Sequence, residues 1–206
     1  MMMAGLRERK KEQTRQRIAE TALRLFGERG YDAVTVNEVA EAAGVAKVTL
    51  FSYFPSKECL VLDAIKDDYA AAVKGRREGQ TPLGALREYC RGIVRRGAGT
   101  SVEALITRVQ VVASSPALLS EVYKTNMGER EELAAALEAA MPDAGLAPRL
   151  MAAQITAVIT TLQETFFQRL FTGVPLEEAE RLLQEEVEVA FDLLEHGLSP
   201  DDGDKS

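Results

Sequence analysis

The stretch from Thr35 to Lys57, TVNEVAEAAGVAKVTLFSYFPSK, decides how the chain is read. Two short amphipathic runs meet there across Gly44. Thr35, with Glu38 three residues later, is a Thr-x-x-Glu capping pattern that opens the first run, and Val36, Val39, Ala40 and Ala43 give that run one apolar face. Gly44 stops it. The second run is predicted over about 46–54, because Pro55 disfavours a helical conformation at the residue before it. Leu50 and Phe54 point inward, while Lys47, Val48, Phe51 and Ser52 share another face. Short helices joined at a glycine, the second exposing basic and hydroxyl side chains, form the helix-turn-helix pattern. Any small helical hairpin can turn at glycine, however, and on that reading Val45 and Leu50 are ordinary core.

Working outward, a helix is predicted upstream over about 11–28, with Ile18, Ala22, Leu25 and Phe26 on one face and Gly30 as its stop. Downstream, Ser56 caps a helix over about 57–77. The rest is helical segments divided by glycine and proline: about 83–96, 102–113, 116–141, 149–171 and 176–195. No period-2 run of strand length interrupts them. The expectation is an all-α chain of about nine helices: a helix-turn-helix domain with a basic N-terminal arm over 1–56, a helical ligand-binding and dimerisation domain over 57–198, and a disordered tail over 199–206.

Composition narrows the function classes. The 206 residues are 46% hydrophobic and 28% charged, as in an ordinary soluble globular protein. The basic N-terminus has no apolar segment behind it, and the longest uncharged helical run, Leu150–Gln163, falls short of the roughly 18 apolar residues of a membrane span. A cytoplasmic protein with no membrane partner is expected. Two cysteines, Cys59 and Cys90, and one histidine, His196, provide neither a disulfide framework nor a metal-ligand cluster, so no metal and no cofactor are expected. His196 is read as a cation suited to a helix C-terminus. No glycine-rich phosphate loop, nucleophile elbow or paired metal ligands appear, so the chain is not read as an enzyme.

The net charge of −7 is unevenly spread. Residues 1–60 hold ten Lys/Arg against eight Asp/Glu, leaving 15 against 24 for the remainder. Six of the basic residues fall between Arg7 and Arg17. A basic end meets a polyanion while the acidic body stays away from it.

The run T-V-N-E-V-A-x-x-A-G-V-A-K-V-T-L-F-S-Y-F-P-S-K-E resembles the signature of the TetR family of transcriptional regulators, T-x-x-x-I-A-x-x-A-G-V-S-x-G-T-L-Y-x-Y-F-x-S-K-E. The preceding R-I-x-x-x-A-x-x-L-F-x-x-x-G-Y is similar to that family's first helix, and together the match covers about residues 11–62. The resemblance implies a double-stranded DNA operator as partner. It places Lys47 where a long cation reaches guanine O6 and N7, and Val48 where it packs on a thymine methyl. Phe51 and Ser52 lie on the same DNA-facing helix. Thr49, Tyr53 and Lys57 become phosphate contacts, Thr35 and Asn37 address the other wall of the groove, and Arg15 and Arg17 add salt-sensitive attraction. The departures are Ala46 for serine or threonine, Val48 for glycine and Phe51 for tyrosine, which remove hydroxyl contacts and shift the burden towards Lys47 and Tyr53.

The last two helices carry more apolar surface than one hairpin buries, and pairing with a second copy as a four-helix bundle covers it. Met151, Ile155, Val158 and Leu162 from the first, with Leu183, Val187 and Phe191 from the second, are the expected dimer interface. The alternative is that these stripes complete a monomer's core. The resemblance further implies that the middle helices enclose a pocket for a small-molecule effector, apolar or amphipathic, whose occupation releases a repressor from a pseudo-palindromic operator. Candidate lining residues are Arg108, Gln110, Tyr123, Met127, Gln163, Phe166 and Phe167. Arg108 meets an anionic group on this reading. Equally it is a solvated cation, since the nearest upstream acid, Glu103, lies five residues away. A regulator controlled by a protein partner, or acting as an activator, is the alternative.

Overall fold

In the computed structural model, residues 2–63, 67–97 and 101–197 are described, and among them ten helices and no strand occur. In chain order they are α1 (Met2–Arg29), α2 (Val36–Ala42), α3 (Lys47–Tyr53), α4 (Cys59–Leu62), α5 (Tyr69–Lys74), α6 (Pro82–Gly97), α7 (Val102–Ser114), α8 (Pro116–Ala140), α9 (Ala147–Phe171) and α10 (Leu176–His196). The expected tail over 199–206 and the domain end at 198 lie outside the described residues.

Two predicted spans are corrected. First, α1 begins at Met2 rather than near Lys11, since strong helix formers fill the stretch ahead of its first apolar stripe. Second, the single helix expected over 57–77 is α4 and α5. Asp68 leaves the helical conformation (φ −126°, ψ 72°) and accepts a hydrogen bond from the Ala71 amide at 2.8 Å, capping a new helix. That break turns nine expected helices into ten.

The chain divides into two compact units, one of residues 1–66 with 103–123, the other of 67–102 with 124–206. In the first, Ile18, Ala22 and Phe26 of α1 meet Val39 and Ala40 of α2, Leu50 of α3, Phe54, and Leu60 and Val61 of α4. Val111 of α7 and Leu118 of α8 complete this core. Thr107 of α7 runs so close to α1 that a Cβ on Gly27 would stand 2.8 Å from its Cγ2.

Local chemistry fixes the α2–α3 corner. Thr35 Oγ1 accepts from the Glu38 amide at 3.3 Å, while the Glu38 carboxylate accepts from the Thr35 amide at 2.8 Å, closing the capping box. Arg29 adds an ion pair at 2.6 Å, and these bonds hold the Glu38 carboxyl down to about 2 from its ordinary 4.5. Gly44 takes φ +64°, which lets Val45 N donate to Ala40 O at 2.9 Å and Gly44 N to Glu41 O at 3.0 Å. α3 has no side-chain cap, because Ala46 stands at its N-cap. Phe54 leaves the helix at φ −134°, immediately before Pro55.

In the second unit, Val73, Leu86, Cys90, Leu133, Leu137, Ile155, Ile159, Val187 and Phe191 form one core. Arg169 pairs with Glu186 to join α9 to α10, and Arg87 and Arg91 of α6 pair with Asp192 and Glu188 of α10. Tyr69 donates to Asp67 at 2.8 Å, and burial raises its phenol well above the usual range. Ile155, Val187 and Phe191, expected at a dimer interface, are buried inside this core and are withdrawn from it. Met151, Leu162 and Leu183 pack partly against the same core. Val158 is half-buried. The heptad-like stripe turned inward because α5, α6 and α8 supply partners within the chain.

Gly44→Ala is expected to lower stability by about 1–2 kcal/mol through left-handed backbone strain, and Tm by roughly 2–8 °C. No atom lies within 4 Å of the added Cβ, so an unchanged Tm would mean that the turn does not depend on positive φ. The Glu38 contribution is complete above the ordinary carboxylate value of 4.5 and disappears as pH falls towards 2. Glu38→Gln should therefore flatten Tm against pH in that window, and an unaltered profile would exclude the capping box as a source of acid sensitivity.

Candidate nucleic-acid interface

With Leu50 and Phe54 committed to the core, the opposite face of α3 is left outside. Lys47, Val48 and Thr49 are all exposed on its first turn, Val48 at 82%. Phe51 follows one turn later at 39% exposed, with Lys47 Nζ 5.9 Å from its ring centroid. An exposed aliphatic side chain flanked by a cation and a hydroxyl suits a base edge, where a thymine methyl and an acceptor lie side by side. Ser52 Oγ donates to Thr49 O at 2.6 Å, which fixes its rotamer on the same face.

The C-terminal end of α3 faces α1 across a recess of about 500 Å³ lined by Lys10, Lys11, Thr14, Ser52 and Tyr53. Two ammonium groups and the Tyr53 hydroxyl around one open recess fit a phosphate oxygen, while the Thr14 and Ser52 hydroxyls already donate to Lys10 O and Thr49 O. Lys10 and Lys11 are missing from the residues named by sequence. Their signal is present, since Lys10, Lys11 and Thr14 fall at helical spacing, and with α1 extended towards Met2 Lys10 joins Lys11 and Thr14 on the helix that carries Ile18.

Other named cations are engaged internally. Arg15 donates from Nη1 to Tyr53 O at 3.1 Å and from Nη2 to Asp63 Oδ2 at 2.9 Å, with its guanidinium 4.7 Å from the Phe54 centroid. Lys57 Nζ donates to Tyr31 O at 2.6 Å and lies 4.1 Å from the Tyr31 ring centroid. Burial lowers the Lys57 ammonium from its ordinary value. The Tyr31 hydroxyl donates to Glu58 at 3.1 Å, and burial with that carboxylate pushes its own pKa up. Both cations thus brace α3 and α4 against α1 and the loop after it. Arg17 and Asn37 are exposed, and the Thr35 hydroxyl is shared with Glu38.

The expected ligand residues fall in both units. Arg108, Gln110 and Tyr123 belong to the first, and Met127, Gln163, Phe166 and Phe167 to the second. Gln110, Tyr123 and Gln163 are exposed, whereas Phe166 and Phe167 are half-buried and edge-to-face, 5.4 Å between centroids. On α10, Asp192, Glu195 and His196 bring potential ligand atoms within 4.8 Å of one another. They are exposed, and Arg87 already pairs with Asp192.

This arrangement has counterparts. Residues 18–64 match the family described as bacterial regulatory proteins, tetR family. The chain is 29% identical over 208 residues to the HTH-type transcriptional regulator TcmR of Streptomyces glaucescens, covering 96% of this chain and 88% of TcmR. It is 31% identical over 147 residues, 67% of each chain, to an HTH-type transcriptional regulator of Mycobacterium tuberculosis (strain CDC 1551 / Oshkosh). Among solved structures, NalD of Pseudomonas aeruginosa, the secondary repressor of the MexAB-OprM multidrug efflux pump, aligns with a TM-score of 0.61 at 19% identity, over 93% of this chain and 99% of NalD. SmeT in complex with triclosan aligns at 0.60 and 16% identity, over 92% and 93%. Those two likenesses speak for the fold, and the sequence matches for the lineage. The chain belongs to the TetR family of DNA-binding transcriptional regulators.

Proposed function

We propose that this regulator is a homodimeric repressor that holds a pseudo-palindromic operator through α3 and releases it when a small apolar or amphipathic effector binds. The carrying observation is the exposed turn Lys47–Val48–Thr49, standing beside the recess lined by Lys10 and Lys11. The first supplies base readout and the second backbone attachment, the two kinds of contact a specific site requires. On this reading Arg15 and Lys57 orient α3 and do not themselves reach phosphate.

One such face covers a single half-site, and two copies reach half-sites about 34–36 Å apart, or a multiple of that. Support for pairing comes from apolar side chains left outside the second core: Leu150 and Phe171 on α9, and Val189 and Leu193 on α10, the last two 61% and 45% exposed. This set replaces Ile155, Val187 and Phe191. Repression is the role stated for NalD, and SmeT is in complex with triclosan. Carried to this chain, they favour a repressor with an effector-binding body. A tenfold release needs about 1.4 kcal/mol of coupling, and operator DNA must weaken the effector by the same factor.

Selecting sites from a random DNA pool and measuring affinity across salt concentrations tests this reading. Lys47→Ala should relax preference at one or two base pairs by about 1–3 kcal/mol. Lys10→Ala and Lys11→Ala should weaken all sequences and each reduce the salt slope by about 0.9. Lys57→Met should weaken all sequences with the slope unchanged, and a slope reduced by about 0.9 would return it to the phosphate contacts. If the purified protein retards no DNA at low salt, the α3 reading fails. Val189→Asp with Leu193→Asp should give monomers by sedimentation, and retention of the dimer would move the interface elsewhere.

A further inference from the structure

Arg108 is a cation half-buried in the first unit, without a counter-charge among the described residues. Its Nε is buried and has no hydrogen-bond partner, and no described carboxylate stands within ion-pairing distance. Burial alone lowers its pKa, with no opposing pull from any acid. Its neighbours one turn away on α7, Ala104 and Val112, pack against the first core, and Val111 is buried in it. A guanidinium in such surroundings is unfavourable unless something anionic completes it. The α1–α7 crossing lies beside it, where Thr107 meets Gly27.

We propose that Arg108 is the headgroup anchor of the effector site, taking a small amphipathic anion, carboxylate or phosphate, whose apolar part lies along α7. This deepens the repressor reading and rests on it. A planar guanidinium binds two anionic oxygens side by side, so the shared chemistry is an oxyanion on an apolar stem. Recruiting that oxyanion draws on α7 one residue from Thr107, which meets Gly27 of α1, the helix that carries Lys10 and Lys11. Occupation of Arg108 thereby biases the element that seats the phosphate.

The full-length protein, Arg108→Met and Arg108→Lys are titrated with octanoate, octyl phosphate and octanol by calorimetry and thermal shift, alongside operator retardation. The unsubstituted protein should bind at least one of the two anions about tenfold tighter than octanol, and the tighter one identifies the headgroup. Arg108→Met should lose that preference while keeping operator binding without additive, and Arg108→Lys should keep part of it. Without additive, Arg108→Met should melt about 2–4 °C higher, since an uncompensated charge is removed. Octanol binding as tightly as both anions, an anion preference surviving in Arg108→Met, or a lower melting temperature for that variant would each overturn the assignment. Failure of the unsubstituted protein to retard DNA overturns the repressor reading and leaves the anion result legible, so the two failures are distinguished.

Discussion

The burial of Leu50 and Phe54 against α1 is the interaction on which the rest depends. α3 is seven residues long, far below the length at which a helix is stable by itself in water. It also lacks a capping side chain, since Ala46 has none to offer. What keeps it helical is the core formed with Ile18, Ala22 and Phe26, and the geometry of that insertion sets which side chains remain outside. Lys47, Val48 and Thr49 face solvent because Leu50 does not. Positive φ at Gly44 delivers the chain into this position, and Pro55 takes it out.

Cations around that core divide into two kinds. Lys10, Lys11 and Lys47 keep their ammonium groups at the surface, where a polyanion can displace water and counterions. Arg15 and Lys57 spend theirs on backbone carbonyls, a carboxylate and aromatic faces. The second kind holds the recognition helix at a fixed angle to α1. Pre-organising the reading face in this way reduces the ordering cost at the moment of DNA binding.

Local signals are legible in the sequence and non-local ones are not. The capping box at Thr35, the Gly44 turn, the uncapped start at Ala46 and the stop before Pro55 each involve residues within four or five positions, and each is where the sequence placed it. Asp68 does not stand out as a cap because it lies inside an otherwise helical run. The engagement of Arg15 with Asp63 and of Lys57 with Tyr31 spans long sequence separations, so nothing in the local pattern distinguishes them from free surface cations. Ile155, Val187 and Phe191 show a further limit. An apolar stripe at helical spacing states that a face is covered, not whether the cover comes from the same chain or another.

That the first turn of α3 meets the bases is the central claim, and Val48 reports on it most directly. With methyl-labelled protein and a selected operator duplex, intermolecular magnetisation transfer should connect the Val48 methyls to a thymine methyl or base-edge proton. Val189, on α10, should show none. Transfer from some other surface to the bases, with Val48 unperturbed at saturation, would contradict the account.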